Sequence, residues 1–132
     1  MPMKDEVAAL VRRYYAALEH GGPLAGFYAR DEEAGALGPV VKIGSGKDEE
    51  FTGLAAVERA VNAVTATFAR NRLESRALQV RAHGDVAWFS DLVWWSGDAN
   101  GESFASLTRW TGVCLLLADG WKFVQVHVSE GV

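Results

Sequence analysis

The stretch that decides the fold reads Gly84-Asp85-Val86-Ala87-Trp88-Phe89-Ser90-Asp91-Leu92-Val93-Trp94-Trp95. A Gly-Asp turn signal opens it, and β-branched and aromatic residues fill it. It therefore reads as a strand entered from a hairpin. The same period of two holds from residue 75 to the end. Four strands are expected, at about 75–83, 86–96, 103–118 and 121–129. Their turns are Gly84-Asp85, the polar stretch Gly97 to Glu102, and Asp119-Gly120. Such tight turns join neighbours, so the strands form an antiparallel meander.

Upstream, the period changes. Val7, Leu10, Val11, Tyr14 and Leu18 recur at three and four residues, which puts them on one face of a helix over 4–19. Gly21-Gly22-Pro23 stops it, because Gly suits a helix C-terminus and Pro cannot continue the ladder. Thr52 can cap a second helix, whose stripe Leu54, Val57, Val61, Val64 and Phe68 runs to near Asn71. Leu24 to Tyr28 reads as a helical turn or the lead into a strand. Val40-Val41-Lys42-Ile43 reads as a short strand among Gly35, Gly38, Gly44 and Gly46, which suggests a hairpin. The sum is an α+β domain in which the helices cover one face of a curved sheet.

The 132 residues make one domain, 1–132, with a single core. An apolar content of 49 % and a net charge of −4 exclude disorder. Apolar runs such as Val113 to Ala118 fall far short of the roughly 20 residues a membrane helix needs. Acidic residues outnumber basic ones, 17 to 13, and Glu74 interrupts the run Arg70, Arg72, Arg76, Arg81, so no nucleic-acid partner is expected. The lone Cys114 allows neither an intrachain disulfide nor a thiolate metal cluster. His20, His83 and His127 are too scattered for a metal motif, so no metal is expected. Gly44-Ser45-Gly46-Lys47 lacks the flanking residues of a phosphate loop. Asp31-Glu32-Glu33 reads as a solvated loop. The acidic start, Met1-Pro2-Met3-Lys4-Asp5-Glu6, has no leader pattern, and a cytoplasmic protein is expected.

The closing stretch Asp119-Gly120-Trp121-Lys122-Phe123-Val124-Gln125-Val126-His127-Val128-Ser129 resembles the last strand of the SnoaL-like family, within the nuclear-transport-factor-2-like superfamily. Gly84-Asp85-Val86-Ala87-Trp88-Phe89 is similar to that family's entry to the preceding strand, and Phe51-Thr52-Gly53 to its signal before the long helix. The order of elements matches along the whole chain. The resemblance implies a cone: a curved antiparallel sheet, a meander plus a short N-terminal hairpin, wrapped around two to three helices with a pocket at its open end. Relatives include ketosteroid isomerase, polyketide cyclases, dehydratases and a kinase association domain, and many pair through the outer sheet face. Gln125 stands where the association domain has a second His, and no His–Asp pair matches the cyclases. Fold alone does not settle chemistry.

Strand alternation sorts the side chains. Ala87, Phe89, Asp91, Val93 and Trp95 share one face, and Trp88, Ser90, Leu92 and Trp94 the other. The face Val124, Val126, Val128 suits the helices. Pairing through Asp119-Gly120 then sets Val113 beside Val126, with Thr111 and Arg109 on the same inner face, close to Asp91. A one-residue bulge would flip either charge. Phe68, Phe89, Val93, Trp95, Thr111, Val113, Val126 and Val128 are the expected pocket lining. Asn62 and Thr65 are weaker candidates. Asp91 could act as a general base, with Arg109 and Tyr14 stabilising a developing negative charge on a carbonyl oxygen. Equally, Asp91 and Arg109 could form a structural ion pair, and Tyr14 could be a packed aromatic.

Trp88, Leu92, Trp94, Trp110, Cys114 and His127 fall on the outer face in this scheme, where an apolar patch predicts a homodimer. Two functions remain open. One is a pocket for a small apolar molecule, with or without cofactor-free isomerase, cyclase or dehydratase chemistry. The other is a non-catalytic association module with the pocket largely filled.

Overall fold

The computed structural model describes residues 3–130, apart from the Ala36 side chain; the outermost residues of the expected 1–132 domain lie outside them. Helix α1 spans Met3–Glu19 and buries Val7, Leu10, Val11, Tyr14, Tyr15 and Leu18. Gly21, in the left-handed region at φ +88°, ends it. The Gly22 amide donates to the Ala17 carbonyl at 2.7 Å and the Gly21 amide to Leu18 at 3.4 Å, which satisfies two carbonyls that the last turn leaves free.

A 3₁₀ turn over Ala25–Phe27 and a four-residue helix α2, Asp31–Ala34, precede a short hairpin of β1, Val41–Ile43, and β2, Glu50–Thr52. The segment expected as a solvated acidic loop is therefore helical, and Asp31 has work to do. Its carboxylate accepts the Leu54 amide at 3.1 Å and the Val40 amide at 3.3 Å. It thus caps the next helix from a distance while fixing the start of β1. That helix, α3, spans Leu54–Thr67 with Gly53, not Thr52, at its N-cap and no capping bond from its own flank.

Helix α3 stops four residues before the expected Asn71. Phe68 opens strand β3, Phe68–Ser75. Its ring packs on Trp95 and Phe104, with centroids 4.8 and 5.4 Å apart. Burial of Phe68 fits a helical stripe and a strand equally well, so periodicity could not mark the boundary. The expected strand 75–83 is two segments, β3 and β4 (Gln79–His83), which follow one another along the same edge of β5, Val86–Ala99. Between them residues 76–78 oppose only Asp91 and Leu92, a bulge in the edge.

Strands β6, Glu102–Leu117, and β7, Gly120–Glu130, complete the meander. The sheet order is β2-β1-β7-β6-β5-β3, with β4 also on β5. β1 joins β7 in parallel, so the curled sheet is mixed and not wholly antiparallel.

Two details overturn the expected inner face of β6. The β5–β6 turn is the two-residue Asn100-Gly101, both at positive φ, between the partners Ala99 and Glu102. That register sets Asp91 opposite Trp110 and Leu92 opposite Arg109. In β7, Val124 is an extra residue between the pairs Val113–Gln125 and Cys114–Phe123. Trp121, Phe123, Val126 and Val128 are all buried as a result. So Thr108, Trp110, Gly112 and Cys114 point inward, while Arg109 and Thr111 are exposed and Val113 is half-buried on the outer face.

The core is aromatic. Tyr14 meets Phe27, Tyr28, Trp110 and Phe123 edge-on, with centroids 5.0–6.4 Å apart. Edge-to-face contacts favour such clusters beyond the area they bury. Burial pushes the Cys114 thiol up to about 12, which keeps it an inert packing group.

Candidate functional site

A cavity of about 430 Å³ opens between the helices and the concave face of the sheet. Leu18 of α1, Leu24, and Val61 and Val64 of α3 form one wall, and Phe68, Trp95, Phe104, Trp110 and Val128 the other. The mouth is polar: Lys42, Ser45, Glu49, Ser106 and Glu130. Volume and lining suit a drug-sized molecule with an apolar body.

Two indoles are locked in the wall. Trp95 Nε1 donates to Asn71 Oδ1 at 3.0 Å, and Asn71 is itself buried. Trp110 Nε1 donates to Thr108 Oγ1 at 2.7 Å, and that hydroxyl donates to the Val93 carbonyl at 2.8 Å. Each polar N–H is thereby satisfied inside the wall, so neither indole needs a polar partner from the cavity.

Of the three residues expected to carry catalysis, Tyr14 alone lines the cavity. Its hydroxyl lies 2.8 Å from that of Tyr28, and one donates to the other. Burial pushes the Tyr14 phenol above its ordinary range, opposed in part by the Tyr28 bond. It stays protonated at neutral pH, a donor rather than a base.

Asp91 faces inward as expected but lies outside the cavity wall. Its Oδ2 accepts Tyr15 Oη at 3.0 Å and Ser75 Oγ at 2.6 Å, and its Oδ1 accepts the Ala77 amide at 3.0 Å. The carboxylate fills the gap between β3 and β4 and replaces the ladder bonds missing there. Burial, followed by the Asp91 charge and hydrogen bond, raises the Tyr15 pKa strongly. Arg109 is on the opposite side of the sheet, so the expected Asp91–Arg109 pair does not form.

The expected lining divides three ways. Phe68, Trp95 and Val128 line the cavity. Phe89, Val93 and Val126 are buried in the core away from it, and Thr111 and Val113 are on the outer face. Asn62 is exposed, and Thr65 turns its hydroxyl to the Asn62 carbonyl. Trp110 and Cys114, expected outside, are 2 % and 0 % exposed in the core. Trp88, Leu92, Trp94 and His127 keep their outer placement.

Sequence reading missed Lys42 and Glu49. A lysine inside the β-branched run Val40 to Ile43 is the signal that could have found the first. Trp110 was missed through the β6 register.

A model of the SnoaL-like domain family matches residues 7–132, and the chain belongs to that family. No curated protein matched the sequence. Solved structures share the fold at low identity. A Streptomyces avermitilis protein described as a candidate dehydratase of the nuclear-transport-factor-2-like family superposes with a TM-score of 0.89. It is 21 % identical, over 98 % of this chain and 96 % of its own. A nuclear-transport-factor-2-like superfamily protein from Salmonella enterica gives a TM-score of 0.82 at 19 % identity, over 98 % and 92 %. A candidate calcium/calmodulin-dependent protein kinase II association domain from Xanthomonas campestris gives 0.77 at 23 %, over 96 % and 86 %. The chain has the curled α+β cone of this superfamily. No helix among the described residues is long and apolar enough to cross a membrane.

Proposed function

We propose that the protein binds a small, largely apolar molecule in the cavity at the open end of the cone. The open, aromatic-walled space of about 430 Å³ carries this reading. It favours a ligand site over an association module with a filled pocket. Among the residues expected to catalyse carbonyl chemistry, the base and the cation are both away from the cavity. The site is therefore read as a binding site first. Any isomerase, cyclase or dehydratase step in it would use Tyr14 as a hydrogen-bond donor.

Calorimetric titration with 2-naphthalenemethanol, a neutral bicyclic probe, tests the reading. One molecule per chain is expected, with a dissociation constant of roughly 10–100 µM for burial of about a dozen heavy atoms. No saturable binding up to the solubility limit would contradict it.

The outer sheet face supports a second, independent element of the proposal, a homodimer. Trp88, Leu92 and Leu107 are 42 %, 37 % and 42 % exposed there, and Arg76 lies 5.3 Å over the Trp94 ring. A second copy of this face would cover them across a two-fold axis. Sedimentation at micromolar concentration is expected to give a dimer that Leu92→Asp converts to monomer. A wild-type monomer at that concentration refutes the dimer and leaves the cavity reading intact.

A further inference from the structure

Among the described residues Lys42 is the one lysine or arginine that lines the cavity, and it is only 8 % exposed. Its place follows from register. On β1 it pairs with Val126 of β7, whose side chain faces inward, and not with the outward Gln125 that partners Val41. The aliphatic stem therefore runs along the cavity wall and brings the ammonium to the mouth.

Among the described residues, no hydrogen bond or ion pair holds that ammonium. The nearby carboxylate, Glu49, is engaged elsewhere: its Oε1 accepts the Gly46 amide at 2.9 Å, and the Glu49 amide and carbonyl close the same loop on Gly46 and Gly44. The side chain of Glu49 also occupies the space over Gly44, where a Cβ would come within 2.5 Å of Oε2. Glu49 and Glu130 are exposed, so water screens both, whereas Lys42 is surrounded by protein. Burial lowers the Lys42 pKa, and the Glu49 charge opposes part of that shift. Burial of the side chain leaves that ammonium only partly hydrated and without a protein partner, and an anion delivered beside it at the mouth would offset the cost.

We propose that Lys42 makes this cavity selective for carboxylic acids with an apolar, ring-bearing body: the rings stack among Trp95, Trp110 and Phe68, and the carboxylate meets the Lys42 ammonium at the mouth. A single ammonium suits a monoanion, where a phosphate dianion calls for a cluster of donors. The inference rests on the cavity being a ligand site and adds the head group.

The test is calorimetry at pH 7 with two matched probes, 2-naphthoate and 2-naphthalenemethanol, on the full chain. Wild type should bind the acid roughly tenfold more tightly than the alcohol, the scale of one charge-assisted hydrogen bond. Lys42→Met should erase that preference and leave alcohol affinity within about threefold, since the two side chains are similar in volume. Lys42→Arg, which keeps the charge, should retain a preference for the acid and guards against misreading a folding defect. If wild type shows no preference for the acid, or Lys42→Met keeps it, the inference is overturned while alcohol binding still supports the cavity. If neither probe binds wild type, the cavity reading falls, and this inference with it.

Discussion

Replacing Asp91 with alanine is expected to lower the unfolding free energy by about 2–3 kcal/mol. For a domain of this size that corresponds to a Tm roughly 6–12 °C lower. Asp91 is 4 % exposed and satisfies three donors at once: the Tyr15 and Ser75 hydroxyls and the Ala77 amide. Truncation strands the Tyr15 hydroxyl, which is buried, while Ser75 and Ala77 are exposed and can turn to water. Asp91→Asn keeps an acceptor oxygen and the shape, and should cost about half as much, with Ser75 able to reverse its hydroxyl. Urea denaturation measures both. An alanine variant within 1 kcal/mol of wild type would show that the carboxylate does not hold this edge together.

The second large effect is expected at Gly112. It faces inward on β6, directly opposite Phe89 on β5. A Cβ there would come 2.5 Å from Phe89 Cε1 and 2.7 Å from the Gln125 carbonyl oxygen. The ring can rotate away, but the β7 backbone behind it cannot without breaking the ladder. Gly112→Val is therefore expected to cost about 3 kcal/mol or more, even after the gain in strand propensity. Gly26→Ala, where an added Cβ meets nothing within 4 Å and φ is not positive, is the neutral control. If the two variants unfold at the same denaturant concentration, the close approach of Phe89 to β6 is wrong.

Most of the fold can be read in the sequence because it rests on period. The stripe of α1 and the alternation of β5 each bury one clear set of side chains, and both sort as expected. Strand β6 is different. Thr108, Trp110 and Cys114 on one face and Leu107, Val113 and Leu115 on the other are both apolar enough to be a core, so alternation does not choose between them. The register had to come from the turns. Asn100-Gly101 is a two-residue hairpin signal that fixes Ala99 opposite Glu102, and with it Asp91 opposite Trp110. Reading Gly97 to Glu102 as one polar loop loses that residue of register and brings Arg109 inside. The bulge at Val124 has no comparable signal, since Phe123 and Val124 suit either face.

The same slip explains the misread site. With β6 inverted, Trp110 was lost from the cavity and Thr111 and Val113 were placed in it. Lys42 was legible only in part. A lysine within a β-branched run usually marks an exposed edge strand, and here the parallel pairing with β7 turns it inward. That pairing joins residues more than eighty apart in the chain, which no local pattern reveals. The tryptophans divide accordingly: Trp95 and Trp110 belong to the cavity, Trp88 and Trp94 to the outer face, and Trp121 closes the core near the start of β7.

That division provides the most direct measurement. The indole N–H resonances, assigned by single Trp→Phe substitutions, can be followed by NMR while 2-naphthalenemethanol is added. A ligand in the cone should shift Trp95 and Trp110 in saturable proportion and leave Trp88 and Trp94 in place. Shifts confined to Trp88 and Trp94, with Trp95 and Trp110 unmoved, would put the binding surface on the outer sheet and contradict the account.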